Sequence, residues 1–146
     1  MNREILFRGK RKDDGTSDYV DEWVYGYYCP MPFSRFPCKP CIFPADTINS
    51  HWHGVEIIEN TIGQYTGLTD KNGVKIFEGD IARFKRFKDN YVGKIIFNNK
   101  TTGFEFWWNV VVGAYGEKAT RCANLSVCDE IEIIGNIHDN PELLGG

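Results

Sequence analysis

One stretch constrains this chain more than any other, Gln64 to Ile81: Gln-Tyr-Thr-Gly-Leu-Thr-Asp-Lys-Asn-Gly-Val-Lys-Ile-Phe-Glu-Gly-Asp-Ile. Asp70-Lys71-Asn72-Gly73 is a turn with a mechanism. Asn and Gly accept positive φ at little cost, so Asn72-Gly73 closes a tight reversal. The Asp70 side chain can fold back onto the backbone two residues on. Val74, Ile76 and Phe77 leave the turn as an extended apolar run, Glu78-Gly79-Asp80 breaks it, and Ile81 starts the next one. A Gly-Asp corner leading into a strand suits a small, strongly bent β structure, in which glycine allows the kink.

The rest of the chain agrees with a β reading. Ile5-Leu6-Phe7 is a short apolar run, and Trp23 to Tyr28 is aromatic and β-branched, as strands are. Pro30, Pro32, Pro37, Pro40 and Pro44 follow within fifteen residues and read as an irregular surface loop from Cys29 to Pro44. Beyond the central stretch a meander is predicted: Ile81 to Phe87, a two-residue turn at Asp89-Asn90, Tyr91 to Phe97, then Phe104 to Val112. The last of these alternates, with Phe104, Phe106, Trp108 and Val110 on one face and Glu105, Trp107 and Asn109 on the other. Gly113 to Thr120 reads as a loop. Ile131 to Ile137 is a final strand, with Ile131, Ile133 and Ile137 facing one way. Asn140-Pro141-Glu142 starts a helix too short to exceed about a turn, with Asn140 as its cap. No segment of ten residues carries the helical period. The fold class is therefore mainly β with minimal helix. Residues 79–138 read as a small SH3-like barrel or bent antiparallel meander, and the N-terminal part adds strands. The 146 residues read as a single domain (1–146), with a possible subdivision into 1–66 and 67–146.

Three blocks resemble the YopX-like family of bacteriophage and prophage proteins. The central one comprises Gly63-Gln64-Tyr65-Thr66-Gly67-Leu68, Asp70-Lys71-Asn72-Gly73 and Ile76-Phe77-Glu78-Gly79-Asp80-Ile81. The first block is Arg3 to Lys10 together with Trp23 to Tyr28, and the last runs from Ile133 to Leu143. The resemblance implies a phage-type origin. It carries over no catalytic or binding residue.

Composition excludes several classes. With 42% hydrophobic and 25% charged residues the chain is an ordinary globule rather than a disordered one. No stretch approaches the ~20 apolar residues that span a bilayer, and the N-terminal residues do not form a secretion signal. A cytoplasmic location in the bacterial host cell is the expectation, with five cysteines kept as reduced thiols. The net charge of −3 offers no general attraction to nucleic acid. It is uneven, however: residues 1–12 carry +4 and residues 83–100 carry +5, against −7 over 13–82 and −5 over 101–146.

Four chemistries compete in this sequence. Cys38-Lys39-Pro40-Cys41 with His51 and His53, and Cys29 as an extra ligand, supplies the ligand types that zinc prefers. The two histidines, however, stand two apart rather than three to five, so an extended chain points them to opposite faces. Free thiols in a surface loop, with no metal, are the preferred reading. Asp70 to Gly73 does not match a calcium loop, because its glycine falls at the fourth position and not the sixth. Glu78 and Asp80 could act as paired carboxylates, but a corner pair is more simply turn-stabilising. No nucleophile elbow, phosphate loop or dinucleotide fingerprint is present, so neither an enzyme nor a cofactor is expected. Arg83-Phe84-Lys85-Arg86-Phe87-Lys88 interleaves basic and aromatic residues, as single-strand nucleic-acid binders do. The same pattern also protects a sheet edge. The leading expectation is a non-enzymatic binding module that self-associates or takes a host or phage protein partner. The alternative is a nucleic-acid-binding barrel that uses this run, and a small enzyme ranks third.

Overall fold

The structure is a computed structural model that describes residues 3–15, 22–30, 39–45 and 54–145. The expected β class holds: the described elements are strands joined by turns and three short 3₁₀ turns. The chain divides into two units, Met1–Gly67 and Leu68–Gly146.

In the first unit, β1 (Phe7–Lys10), β2 (Trp23–Cys29), β3 (Cys41–Pro44), β4 (Val55–Glu56) and β5 (Gly63–Thr69) form an antiparallel sheet in the order β4-β3-β2-β1-β5. The last two residues of β5 pass into the second unit. Val24, Ile42 and Ile57 are buried together, with Phe7, Tyr28, Val55 and Ile62 packed on them. The described end of the proline-rich region departs from the expected irregular loop, and residues 31–38 of it lie outside the described residues. Cys41–Pro44 is a strand paired with β2, Cys29 opposite Cys41 and Gly26 opposite Pro44. Burial explains it: Ile42 is fully buried, and the prolines described lie outside the strand or at its last residue.

In the second unit, β6 (Lys75–Phe77) follows the Asp70–Gly73 turn. A second sheet then follows. β7 (Asp80–Arg86), β8 (Asp89–Asn98), β9 (Gly103–Val112) and β10 (Glu117–Asn124) form the predicted meander, and β11 (Asp129–Asn136) returns to pair with β7. The order β10-β9-β8-β7-β11 has two ends, so this is an open antiparallel sheet and not a closed barrel. One face buries Ala82, Phe84, Ile95, Phe106, Trp108, Ala123, Leu125 and Cys128 around Ile76, with Ile131 and Ile133 against them. Phe84 stacks on Phe106 at 4.2 Å and meets Trp108 edge-on at 5.2 Å. The alternation read in β9 is present: Phe106 and Trp108 are buried in this core.

Three local expectations are corrected. Residues 117–120 belong to β10 and not to a loop, because they continue the pairing with β9 from Glu117 opposite Val112. The β7–β8 turn is at Phe87-Lys88 and not at Asp89-Asn90, which pair with Arg86 and Lys85. Core packing sets this register, placing Phe84 opposite Tyr91 and Ala82 opposite Gly93. Gly93 suits that position, since a Cβ there would lie 2.7 Å from the Trp107 carbonyl oxygen. Finally, Asn140 does not cap the 3₁₀ turn Pro141–Leu144 with its side chain. Its Oδ1 instead accepts from the Asn136 backbone N–H at 3.3 Å.

Candidate functional site

The family-like blocks of the second unit build its turns. Asp70 is buried, and its carboxylate accepts three backbone N–H groups: Asn72 at 2.8 Å, Val74 at 2.9 Å and Ile133 at 3.0 Å. Lys71 N–H donates to the Ile131 carbonyl at 2.8 Å, so the turn before β6 is tied to β11. Gly73 takes the positive φ, +81°. Burial works to raise the Asp70 pKa, but the three N–H donors and the Lys71 charge outweigh it and hold the carboxyl below its ordinary value.

The Glu78-Gly79-Asp80 corner is equally committed to the backbone. Gly79 has φ +88°, donates to the Ile95 carbonyl at 2.8 Å and accepts from Ile137 N–H at 2.9 Å. Asp80 is 2% exposed, and its Oδ2 accepts from Phe77 N–H at 2.7 Å. Glu78 is half-buried. The two carboxylates are thus placed differently, one folded into the turn and one on its rim. The C-terminal block is a third such device. Asn136 Oδ1 accepts from His138 and Asp139 N–H groups, both at 3.0 Å, and its amide donates to Asp139 at 2.9 Å. Gly135 admits the Asn140 side chain, whose Oδ1 would stand 2.6 Å from any Cβ there.

The basic-aromatic run splits in two across the pleat. Phe84 is core, at 1% exposure. Arg83 and Lys85 point to the other face, where Arg83 pairs with Glu132 and Lys85 with Glu130, each at 3.3 Å. Glu132 also takes Lys71 at 3.1 Å. The hairpin tip is different. Phe87 is 85% exposed with φ +57°, and the Arg86 guanidinium lies 5.3 Å from its ring centroid. Lys88 is exposed beside it. A bulky residue at positive φ is uncommon and costs about 1–2 kcal/mol. The β9–β10 loop also exposes an aromatic, Tyr115, but there Gly113 and Gly116 take the positive φ values.

Of the proposed metal ligands, Cys38, His51 and His53 lie outside the described residues. Cys41 is buried with its Sγ 3.9 Å from the Cys29 carbonyl oxygen, and burial, then the neighbouring Cys29, raises its pKa. Cys128 is pushed up to about 11, chiefly by burial. Both stay thiols at neutral pH. Among the described residues no group of three or more histidine, cysteine or acidic side chains is placed to hold a metal ion. No helix among them is long and apolar enough to cross a membrane.

Sequence reasoning passed over Glu105. It is buried in the second sheet and accepts from Thr101 Oγ1 at 2.7 Å and from Asn98 Nδ2 and Trp107 Nε1 at 3.0 Å. Those three side-chain donors lower its pKa against the effect of burial. The alternation of β9 had placed Glu105 and Trp107 on one face. Nothing local marked Asn98 and Thr101 as their partners.

The fold and these turns agree with a comparison against known families. The profile of the family described as YopX protein matches residues 37–145. The chain belongs to that family. No curated protein matches it.

Proposed function

We propose that this is a phage- or prophage-type protein of the bacterial cytoplasm, without catalytic activity, that docks on a protein partner through the β7–β8 hairpin tip. The observation that carries the reading is Phe87: a large apolar ring left in water, at a backbone position where glycine or asparagine would be less strained. Strain kept at an exposed aromatic is the pattern of a contact site. Arg86 and Lys88 flank the ring, so the partner surface is an apolar pocket with an acidic rim. The phage-type origin and location rest on family membership and on the sequence. The absence of catalysis rests on the separation of the Glu78–Asp80 pair, with Asp80 folded into the turn and Glu78 on its rim.

Self-association is one form of this docking, and sedimentation of the pure protein tests it. The nucleic-acid alternative keeps one supporting observation, the same exposed ring between Arg86 and Lys88. Against it, Arg83 and Lys85 are paired with glutamates and Phe84 is core. The deciding experiment compares the wild type with Phe87→Gly, first in affinity capture from host lysate and then by direct titration of each captured protein. Specific binding that is lost in Phe87→Gly supports the reading, and equal binding by both removes the tip. Tight oligonucleotide binding at physiological salt, abolished when Arg83, Lys85, Arg86 and Lys88 are all changed to alanine, would promote the alternative.

A further inference from the structure

A groove of about 380 Å³ lies on the second unit. Val92 and Lys94 of β8, Trp107 and Asn109 of β9, Thr120 of β10, and Leu144 of the C-terminal 3₁₀ turn line it. The register places its polar members together. Lys94 is directly opposite Trp107, and Asn109 is opposite Thr120, so these four side chains share the face of the sheet away from Phe106. The volume is within the range of small-ligand sites.

Lys94 is the basic side chain of this groove. Lys12, Lys39, Lys71, Arg83 and Lys85 each pair with a glutamate. Lys94 is half-buried, and no carboxylate among the described residues pairs with it. On the neighbouring strand Glu105 stands opposite Ile96, and its carboxylate accepts from Thr101, Asn98 and the Trp107 indole N–H. That indole N–H bond also fixes the Trp107 ring. Thr120 Oγ1 donates to Asn109 Oδ1 at 3.0 Å, which leaves the Asn109 amide Nδ2 as a donor. Val92 and Leu144 supply the apolar walls, and Leu144 is held in place by the Asn136–Asn140 turn that precedes it.

We infer that this groove binds a carboxylate carried on an apolar or aromatic group, with Lys94 and Asn109 taking the carboxylate and Trp107, Val92 and Leu144 the apolar part. Two donors, one of them the Lys94 cation, match two carboxylate oxygens. A planar or branched apolar group fits against the indole and the leucine. Both the carboxyl terminus of a peptide and a free carboxylic acid present this chemistry. The inference is independent of the hairpin tip, since it involves none of residues 83–88.

The test is a chemical-shift titration of the isotope-labelled full chain. The probes are N-acetyl-phenylalanine and its carboxamide, the peptide Gly-Val-Phe with a free and with an amidated carboxyl end, and inorganic phosphate. The acids are expected to shift the Trp107 indole and the Lys94 and Thr120 amide signals saturably, and to bind about tenfold tighter than the amides, the effect of one charge-assisted contact. Lys94→Gln, a half-exposed position whose change should leave the melting temperature alone, is expected to erase that preference. Leu144→Ala is expected to weaken acid and amide alike. Tighter binding of the free-ended peptide than of N-acetyl-phenylalanine assigns the ligand as a peptide terminus, and the reverse assigns it as a small acid. Equal binding of acid and amide, shifts that map elsewhere, no saturation, or phosphate binding as tightly as the acids would each overturn the inference.

Discussion

Two turns of the second unit, seventeen residues apart, solve the same problem in opposite ways. At residues 70–73 the positive φ falls on Gly73, and the Asp70 carboxylate satisfies three N–H groups. At residues 87–88 the positive φ falls on Phe87, whose ring is in water, and no side chain stabilises the reversal in the same way. The first turn holds the fold, because its third hydrogen bond reaches Ile133, sixty-three residues away. The second costs stability and brings no burial in return. The difference separates residues kept for architecture from a residue kept for contact.

The largest expected effect tests the first turn. Asp70→Ala leaves three backbone donors without their acceptor, and the loss is expected to be about 3 kcal/mol. Asp70→Asn, which keeps an acceptor oxygen, is expected to lose less. Equal denaturation midpoints for wild type and Asp70→Ala in urea would make the two turns alike.

Next is the corner that follows. Gly79→Val puts a β-branched residue at φ +88° between two backbone hydrogen bonds, at an expected cost of about 2–3 kcal/mol. Gly15 also has positive φ, +72°, but stands in open space in a polar loop. Gly15→Val is therefore expected to cost clearly less, and thermal melts of the two variants check the order.

Acid sharpens the same contrast. The Asp70 and Glu105 carboxyls are held below their ordinary values in the folded chain, so folding favours their ionised forms. Their contribution is complete at neutral pH. It is lost as pH falls below the ordinary carboxylate range and through their lowered folded values. Stability should decline in that window, and Asp70→Asn should flatten the decline. Urea midpoints from neutral pH downward measure it. An unchanged slope would mean that the carboxylate charge at the first turn is not what stabilises it.

The smallest effect has the opposite sign. Phe87→Gly relieves about 1–2 kcal/mol of backbone strain and returns about 0.5–1 kcal/mol as chain entropy. A net gain of roughly 0.5–1 kcal/mol is expected, and Phe87→Ala, which keeps the strain, should be close to neutral. A loss of stability in Phe87→Gly would show that the ring supports the fold and would remove the contrast between the turns.

What the amino-acid order determined by itself is local. Asp70 to Gly73 reads as a turn because each residue carries its own conformational preference, and the pleat of β9 reads from alternation because the period of a strand is two. The mainly β class follows from such signals repeated along the chain. Tertiary structure decided whatever depends on partners distant in sequence. It moved the β7–β8 turn from Asp89-Asn90 to Phe87-Lys88, because burying Phe84 against Tyr91, Phe106 and Trp108 outweighs a two-residue turn preference. The same shift put Phe87 at the tip, in water. It made a strand of Cys41–Pro44, whose pairing with β2 is not written in a proline-rich composition. It also paired Arg83 and Lys85 with β11 glutamates forty-five or more residues away and left Lys94 without a carboxylate partner among the described residues. Charge in a sequence is a property of each residue. Whether that charge is still available for a ligand depends on which strands meet.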